Sequence, residues 1–250
     1  MTSHSLAARV LAIWDFADPA GSLARFADAA EKEPDPAGRQ TMLTQVARAQ
    51  GLREAFEAGH LVLDCLGDPA ELPDEPGTRA LLERGRLYHL AGDPDRAVPL
   101  YQAAYDRAVA GTLTGLAVDA AHMLAIALPE LAQQEEWTRR GLALADGSTD
   151  PLVPGMVAAL LTNLGWSYAD EDRWAPALEL FDRVVQVRLA SGADAYTLHY
   201  ARSDRASALR AVGRHSEALT ELRQMAATPE GAVDPYVAEE LAANERALSG

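Results

Sequence analysis

Isoleucine, phenylalanine, lysine and cysteine are scarce in this 250-residue chain, and each shortage excludes something. Two isoleucines (Ile13 and Ile126) and four phenylalanines leave little of the β-branched and aromatic material from which strands are built. Cys65 stands alone, so no internal disulfide can form, which suits a reducing compartment. Lys32 is the only lysine, and 37 acids outweigh 22 bases to leave a net charge of −15. Nonspecific attraction to nucleic acid or to an anionic membrane is thereby disfavoured. The opening MTSHSLAARVLAIWDF lacks a basic region followed by a clean apolar run, because Arg9 interrupts it. No secretory signal is expected. The most apolar stretch, residues 113–128, carries Asp119 and His122 and is too short to cross a bilayer. A cytoplasmic chain with no nucleic-acid or membrane partner is the expectation.

What the chain does contain is 50 Ala and 34 Leu, both strong helix formers, so the fold class is all-α. Sliding the sequence on itself reveals a repeat. Counted from residue 78, Gly85, Tyr88, Gly92, Ala97, Tyr101 and Ala104 occupy positions 8, 11, 15, 20, 24 and 27. Counted from residue 158, Gly165, Tyr168, Ala177, Phe181 and Val184 occupy 8, 11, 20, 24 and 27 without a gap. Weaker copies begin near 3, 40, 118 and 199; in the copy from 118, Trp137 replaces the small residue at position 20. Positions 4, 8 and 11 share one helix face, and 20, 24 and 27 share a face of a second helix. Small residues at 8 and 20 permit close approach, and the large residue at 24 fills the space beside them. Asp234 and Pro235 then announce a last helix over 234–248, an N-cap followed by proline at N1.

This pattern resembles the tetratricopeptide repeat (TPR). The resemblance implies a right-handed α-solenoid of about six helix pairs closed by a C-terminal capping helix, as one domain over 1–250. The spacings of 37 to 41 residues exceed the usual period of that family, through longer helices or wider loops. It further implies that positions 2, 5, 6, 9, 12 and 13 of each first helix line a concave groove. Those positions hold Gln45 and Arg48, then Arg79, Glu83, Arg86 and His89, then Asp119, His122, Met123 and Ile126. Further along they hold Thr162, Asn163 and Trp166, then Tyr200, Ser203 and Asp204.

Arg48, Arg79 and Arg86 could fork onto a carboxylate, and Asn163, Trp166, Tyr200 and Met123 offer amide and aromatic surface to a peptide. The competing reading is that these side chains are solvated or paired within the chain, Arg79 with Glu83 for instance. The chaperone-binding members of the family carry a lysine-and-asparagine carboxylate clamp that is not matched here, since Asn163 alone fits. Asp119, His122 and Ser203 or Asp204 are parts of a nucleophilic site, yet no sharp turn presents a nucleophile. The six histidines are scattered, so no metal is expected, and no phosphate or dinucleotide fingerprint calls for a cofactor. The expected function is a non-catalytic protein-interaction module whose partner is a protein or peptide bearing an acidic residue or a free C-terminus. A regulatory sensor of a small peptide or metabolite is the alternative, and a hydrolase built on Asp119 and His122 the remote one. Oligomeric state is not legible.

Overall fold

Asp-Pro pairs set many of the helix starts. The carboxylates of Asp18, Asp35 and Asp93 accept from the backbone N–H of Gly21, Gly38 and Arg96, with a proline following each cap. The aspartate satisfies an amide the helix leaves orphaned, and proline occupies the position whose N–H is not needed. The computed structural model describes residues 6–249, which are helical throughout apart from short connections. The start of the first repeat near residue 3 lies outside them.

The helices fall in pairs, in chain order. They are α1 (Leu6–Ile13) with α2 (Pro19–Lys32), α3 (Pro36–Leu52) with α4 (Phe56–Asp64), and α5 (Asp74–Leu90) with α6 (Pro94–Ala110). Next come α7 (Thr114–Ala127) with α8 (Leu131–Ala145), α9 (Val153–Asp170) with α10 (Trp174–Ala190), and α11 (Ala195–Ala211) with α12 (His215–Ala226). A short α13 (Pro229–Val233), absent from the sequence reading, precedes the capping helix α14 (Pro235–Ser249). Helices α5, α6, α10 and α11 each run 17 residues, and turns such as 91–93, 111–113 and 171–173 take only three. The long period therefore resides mainly in the helices.

Two compact units divide the chain, residues 1–156 and 157–250. In the first, the fully buried Tyr101 of α6 lies over Gly85 of α5, and Ala97 is sealed beside it. A Cβ on Gly85 would sit 2.5 Å from the Tyr101 ring, which is why position 8 must be glycine when position 24 is aromatic. The second unit repeats the device with Gly165 of α9 under Phe181 of α10, at 2.6 Å. Its core continues through Leu209, Leu222 and Met225 to Val237 of α14. There Asn244, fully buried, accepts through Oδ1 from the His215 ring Nδ1–H at 2.9 Å. Cys65 is exposed, because α4 ends at Asp64 and leaves the thiol on the connection that follows.

Candidate functional site

The first helices of three successive pairs, α3, α5 and α7, place a buried charge network beneath a cleft of about 280 Å³. Arg86 stands at its centre. Its guanidinium donates through Nη1 to Glu83 Oε1 at 2.6 Å and through Nη2 to Asp119 Oδ1 at 2.5 Å. Burial opposes the Arg86 charge, but Asp119 and Glu83 more than offset it and raise its pKa. Burial likewise works against the Asp119 carboxylate, and Arg86 and Arg48 overcome that and hold it below the usual range.

Arg48 is placed differently. Its Nη1 lies 4.0 Å from Glu83 Oε1, at the limit of an ion pair, and its guanidinium sits 5.4 Å from the centres of both Trp14 and Phe16. Those two rings stack on each other with centroids 4.7 Å apart. Burial and the neighbouring Arg86 lower the Arg48 pKa. Arg48 therefore retains donor capacity that Arg86 has spent. Arg79 has spent its own as well, because both Nε and Nη2 donate to Glu75 Oε1, at 3.0 and 2.9 Å, one turn back on α5. Gln45 is sealed with its amide engaged, its oxygen accepting from the Trp14 indole at 2.9 Å and its nitrogen donating to Thr44. His122 is driven down to about 4 by burial, against the pull of Asp119.

Over this charged floor the cleft is apolar: Leu52, Leu87, Leu90, Met123 and Ile126 line it with Arg48, Glu83, Arg86 and His89. Leu52, Leu90 and Ile126 are 41%, 50% and 37% exposed, large apolar side chains left at the rim. Of the expected site residues, Arg48, Glu83, Arg86 and Met123 thus meet in one place. Asp119 lies behind Arg86, while Gln45 and Arg79 are turned to partners of their own.

In the second unit, Tyr200 and Asp204 line a smaller cleft of about 240 Å³ between α9, α10 and α11. The Trp166 indole N–H donates to the Asp204 carboxylate, and burial pushes that carboxyl up to about 6. Asn163 sits half-buried on α9. The components once considered for a nucleophilic site are engaged inside their own units. Asp119 is held by Arg86, and the Ser203 hydroxyl donates to the His199 carbonyl.

Two segments match the tetratricopeptide-repeat family, residues 80–111 and 157–191, the same two pairs that carry the glycine-under-aromatic contact. Both segments are tetratricopeptide repeats. No curated protein matches this chain. Among solved structures, it is similar to the nearly identical TPR-like repeats of a kinesin light chain from Podosopora anserina. The two share 18% identity and a TM-score of 0.57 over 86% of this chain and 100% of that one. It is also similar to BtubC (BKLC) from P. vanneervenii, at 14% identity and a TM-score of 0.62, covering 99% of this chain and 92% of that one. A third similar structure is NprR in complex with its cognate peptide NprX, at 12% identity, a TM-score of 0.54, and 96% and 68% coverage. These likenesses establish the shared fold.

The sequence reading of the TPR groove missed Gly51, Leu52, Leu87 and Leu90, four of the ten residues lining the main cleft. Gly51, Leu52 and Leu90 fall at positions 12 and 13 of the same frame, so the signal was present. Trp14 and Phe16 were also missed as neighbours of Arg48, because they belong to the connection after α1, where no periodicity marks them. No helix of the described residues is long and apolar enough to cross a membrane.

Proposed function

We propose that this chain is a non-catalytic protein-interaction module that docks a peptide or extended partner segment in the cleft between α3, α5 and α7. The observation that carries the reading is the exposed apolar rim of Leu52, Leu90 and Ile126 over a floor whose charges are almost all internally balanced. Such a rim rewards an apolar anchor side chain, since burying it removes about 25 cal/mol per Å² of apolar surface from water. Arg48 is the donor left to meet an acidic side chain or a free C-terminus beside that anchor. The peptide complex of NprR, a structure of similar fold, supports peptide as the ligand class.

Selection from a random peptide library tests this. Peptides enriched on the wild type are then measured against Leu90→Glu and Ile126→Glu, both at exposed positions where a charge does not threaten the core. The expected result is a loss of about tenfold or more in affinity for either variant, near 1.4 kcal/mol. Unchanged affinity in both folded variants would reject the cleft.

A further inference from the structure

Arg188 on α10 is the half-buried arginine that this chain leaves without an ion pair or a side-chain hydrogen bond among the described residues. Other half-buried arginines are tied to a carboxylate or a carbonyl: Arg84 to Asp64, Arg107 to the Pro69 and Leu72 carbonyls, Arg202 and Arg205 to Glu221. Burial weakens the Arg188 charge, and Asp194 compensates only at a distance. Asp194 itself is spent as the cap of α11, where its carboxylate accepts from the Thr197 backbone at 2.8 Å and hydroxyl at 3.0 Å. Among the described residues no carboxylate comes within ion-pair distance of this guanidinium, in a chain that holds 37 acids.

Arg188 lines the 240 Å³ cleft of the second unit together with Thr162, Val184, Tyr196, Tyr200 and Asp204. Tyr196 and Tyr200 meet edge to face at 4.8 Å and are 63% and 53% exposed, so one aromatic pair stands open at the mouth. From these placements we propose that this cleft is a binding site for a small monocarboxylic acid with a compact apolar or aromatic body. The carboxylate pairs with Arg188 and the body packs between the two tyrosines and Val184.

Three features select that class. A guanidinium fork matches a carboxylate in two parallel hydrogen bonds and is strongest where water is partly excluded. A single guanidinium supplies one positive charge, which matches one carboxylate but not the second charge of a phosphate monoester, and Asp204 in the same cleft further disfavours a dianion. The cleft is smaller than the roughly 300–1,000 Å³ that drug-sized ligands occupy, which limits the body to about one ring or a short branched chain. The site belongs to the second unit alone and does not depend on the peptide reading of the first.

N-acetyl-phenylalanine, its C-terminal amide, phenyl phosphate and a pentapeptide ending in phenylalanine serve as probes. They are titrated into the full chain, with binding read from the Arg188 Nε–H and tyrosine ring resonances by NMR. The expected result is saturable shifts with the free acid and at least about tenfold weaker binding of the amide. Arg188→Gln abolishes the acid's advantage over the amide, while Arg188→Lys, which keeps the charge and loses the fork, retains part of it. The pentapeptide binds more weakly than the free acid if the site takes a small molecule; binding tighter than the free acid would overturn that and make the ligand a chain terminus. Equal binding of acid and amide, tighter binding of phenyl phosphate, wild-type behaviour of a folded Arg188→Gln, or no saturable shift with the acid would each overturn the proposal.

Discussion

Arg86 of α5 donates to Asp119 of α7 at 2.5 Å, so a salt bridge in the floor of the main cleft also binds consecutive helix pairs together. Removing one member leaves the others buried and uncompensated. Arg86→Met should destabilise the first unit by about 3–5 kcal/mol, because Asp119 loses its hydrogen-bonded partner and the two buried carboxylates are left with Arg48 alone, 4.0 Å from Glu83. Arg86→Met combined with Asp119→Leu should recover a large part of that loss, with Glu83 still facing Arg48. Urea denaturation of both variants checks this, and a loss below about 1 kcal/mol for the single change would show that the network is well solvated.

Glycine under an aromatic ring gives a second expectation. Gly85→Ala and Gly165→Ala should each cost about 1–3 kcal/mol, since the added methyl must displace a sealed Tyr101 or Phe181 ring. Gly155→Ala, where nothing lies within 4 Å of the added carbon, should instead stabilise by about 0.5–1 kcal/mol through helix propensity. Thermal melts of the three variants separate close packing from a general intolerance of substitution.

Asp204 and His122 give pH dependences of opposite sign. The Asp204 carboxyl titrates near 6 in the folded chain, against about 4 when unfolded. Between those values the folded state holds a proton that the unfolded state has released, so stability falls as pH rises from about 4 to 6, and the deficit persists at neutral pH. Asp204→Asn keeps an acceptor for the Trp166 indole and should stabilise by about 1–2 kcal/mol at neutral pH, allowing for partial solvent screening, and by almost nothing near pH 4. His122 runs the other way. Its folded pKa of about 4 lies below the unfolded value of about 6.5, so its contribution is complete above the latter and is lost as pH falls toward the former. Replacing His122 with Gln should flatten that acid limb in melts recorded from pH 4 to 8.

Salt separates the roles of the arginines. Arg79 and Arg86 are paired within the chain, leaving Arg48 alone to meet an anionic partner. Peptide affinity in the main cleft should therefore drop by less than about tenfold between about 50 and 500 mM salt, the range over which exposed charges are screened. A steeper loss would mean that the paired arginines open to the ligand.

The fold was legible where the repeat was. Gly85, Tyr101, Gly165 and Phe181 are local consequences of spacing, and the structure places each ring on its glycine. The helices of the long period were visible too, but whether helices or loops carried the extra residues was not, because both choices give the same spacing. The charge pairing was hidden for a different reason. Arg79 has Glu75 and Glu83 one turn to either side, and the sequence holds both options open; only the packing of α5 against α7 turns Glu83 to Arg86 and leaves Arg79 to Glu75. Arg188 escaped notice because it sits on a second helix, outside the positions that the family resemblance assigns to the groove. An unpaired charge is legible only once every possible partner has a place.

Ile126 offers the most direct test of the peptide-docking cleft, because it is one of only two isoleucines in the chain and lies on the rim, while Ile13 lies on α1. Isoleucine methyl NMR, with a library-selected peptide titrated into the full chain, therefore reads the site from a nearly empty spectrum. The expected result is a saturable shift of the Ile126 methyl, lost in Leu90→Glu, with Ile13 unmoved. Saturable binding that leaves Ile126 where it was would contradict the cleft and move the interface elsewhere on the chain.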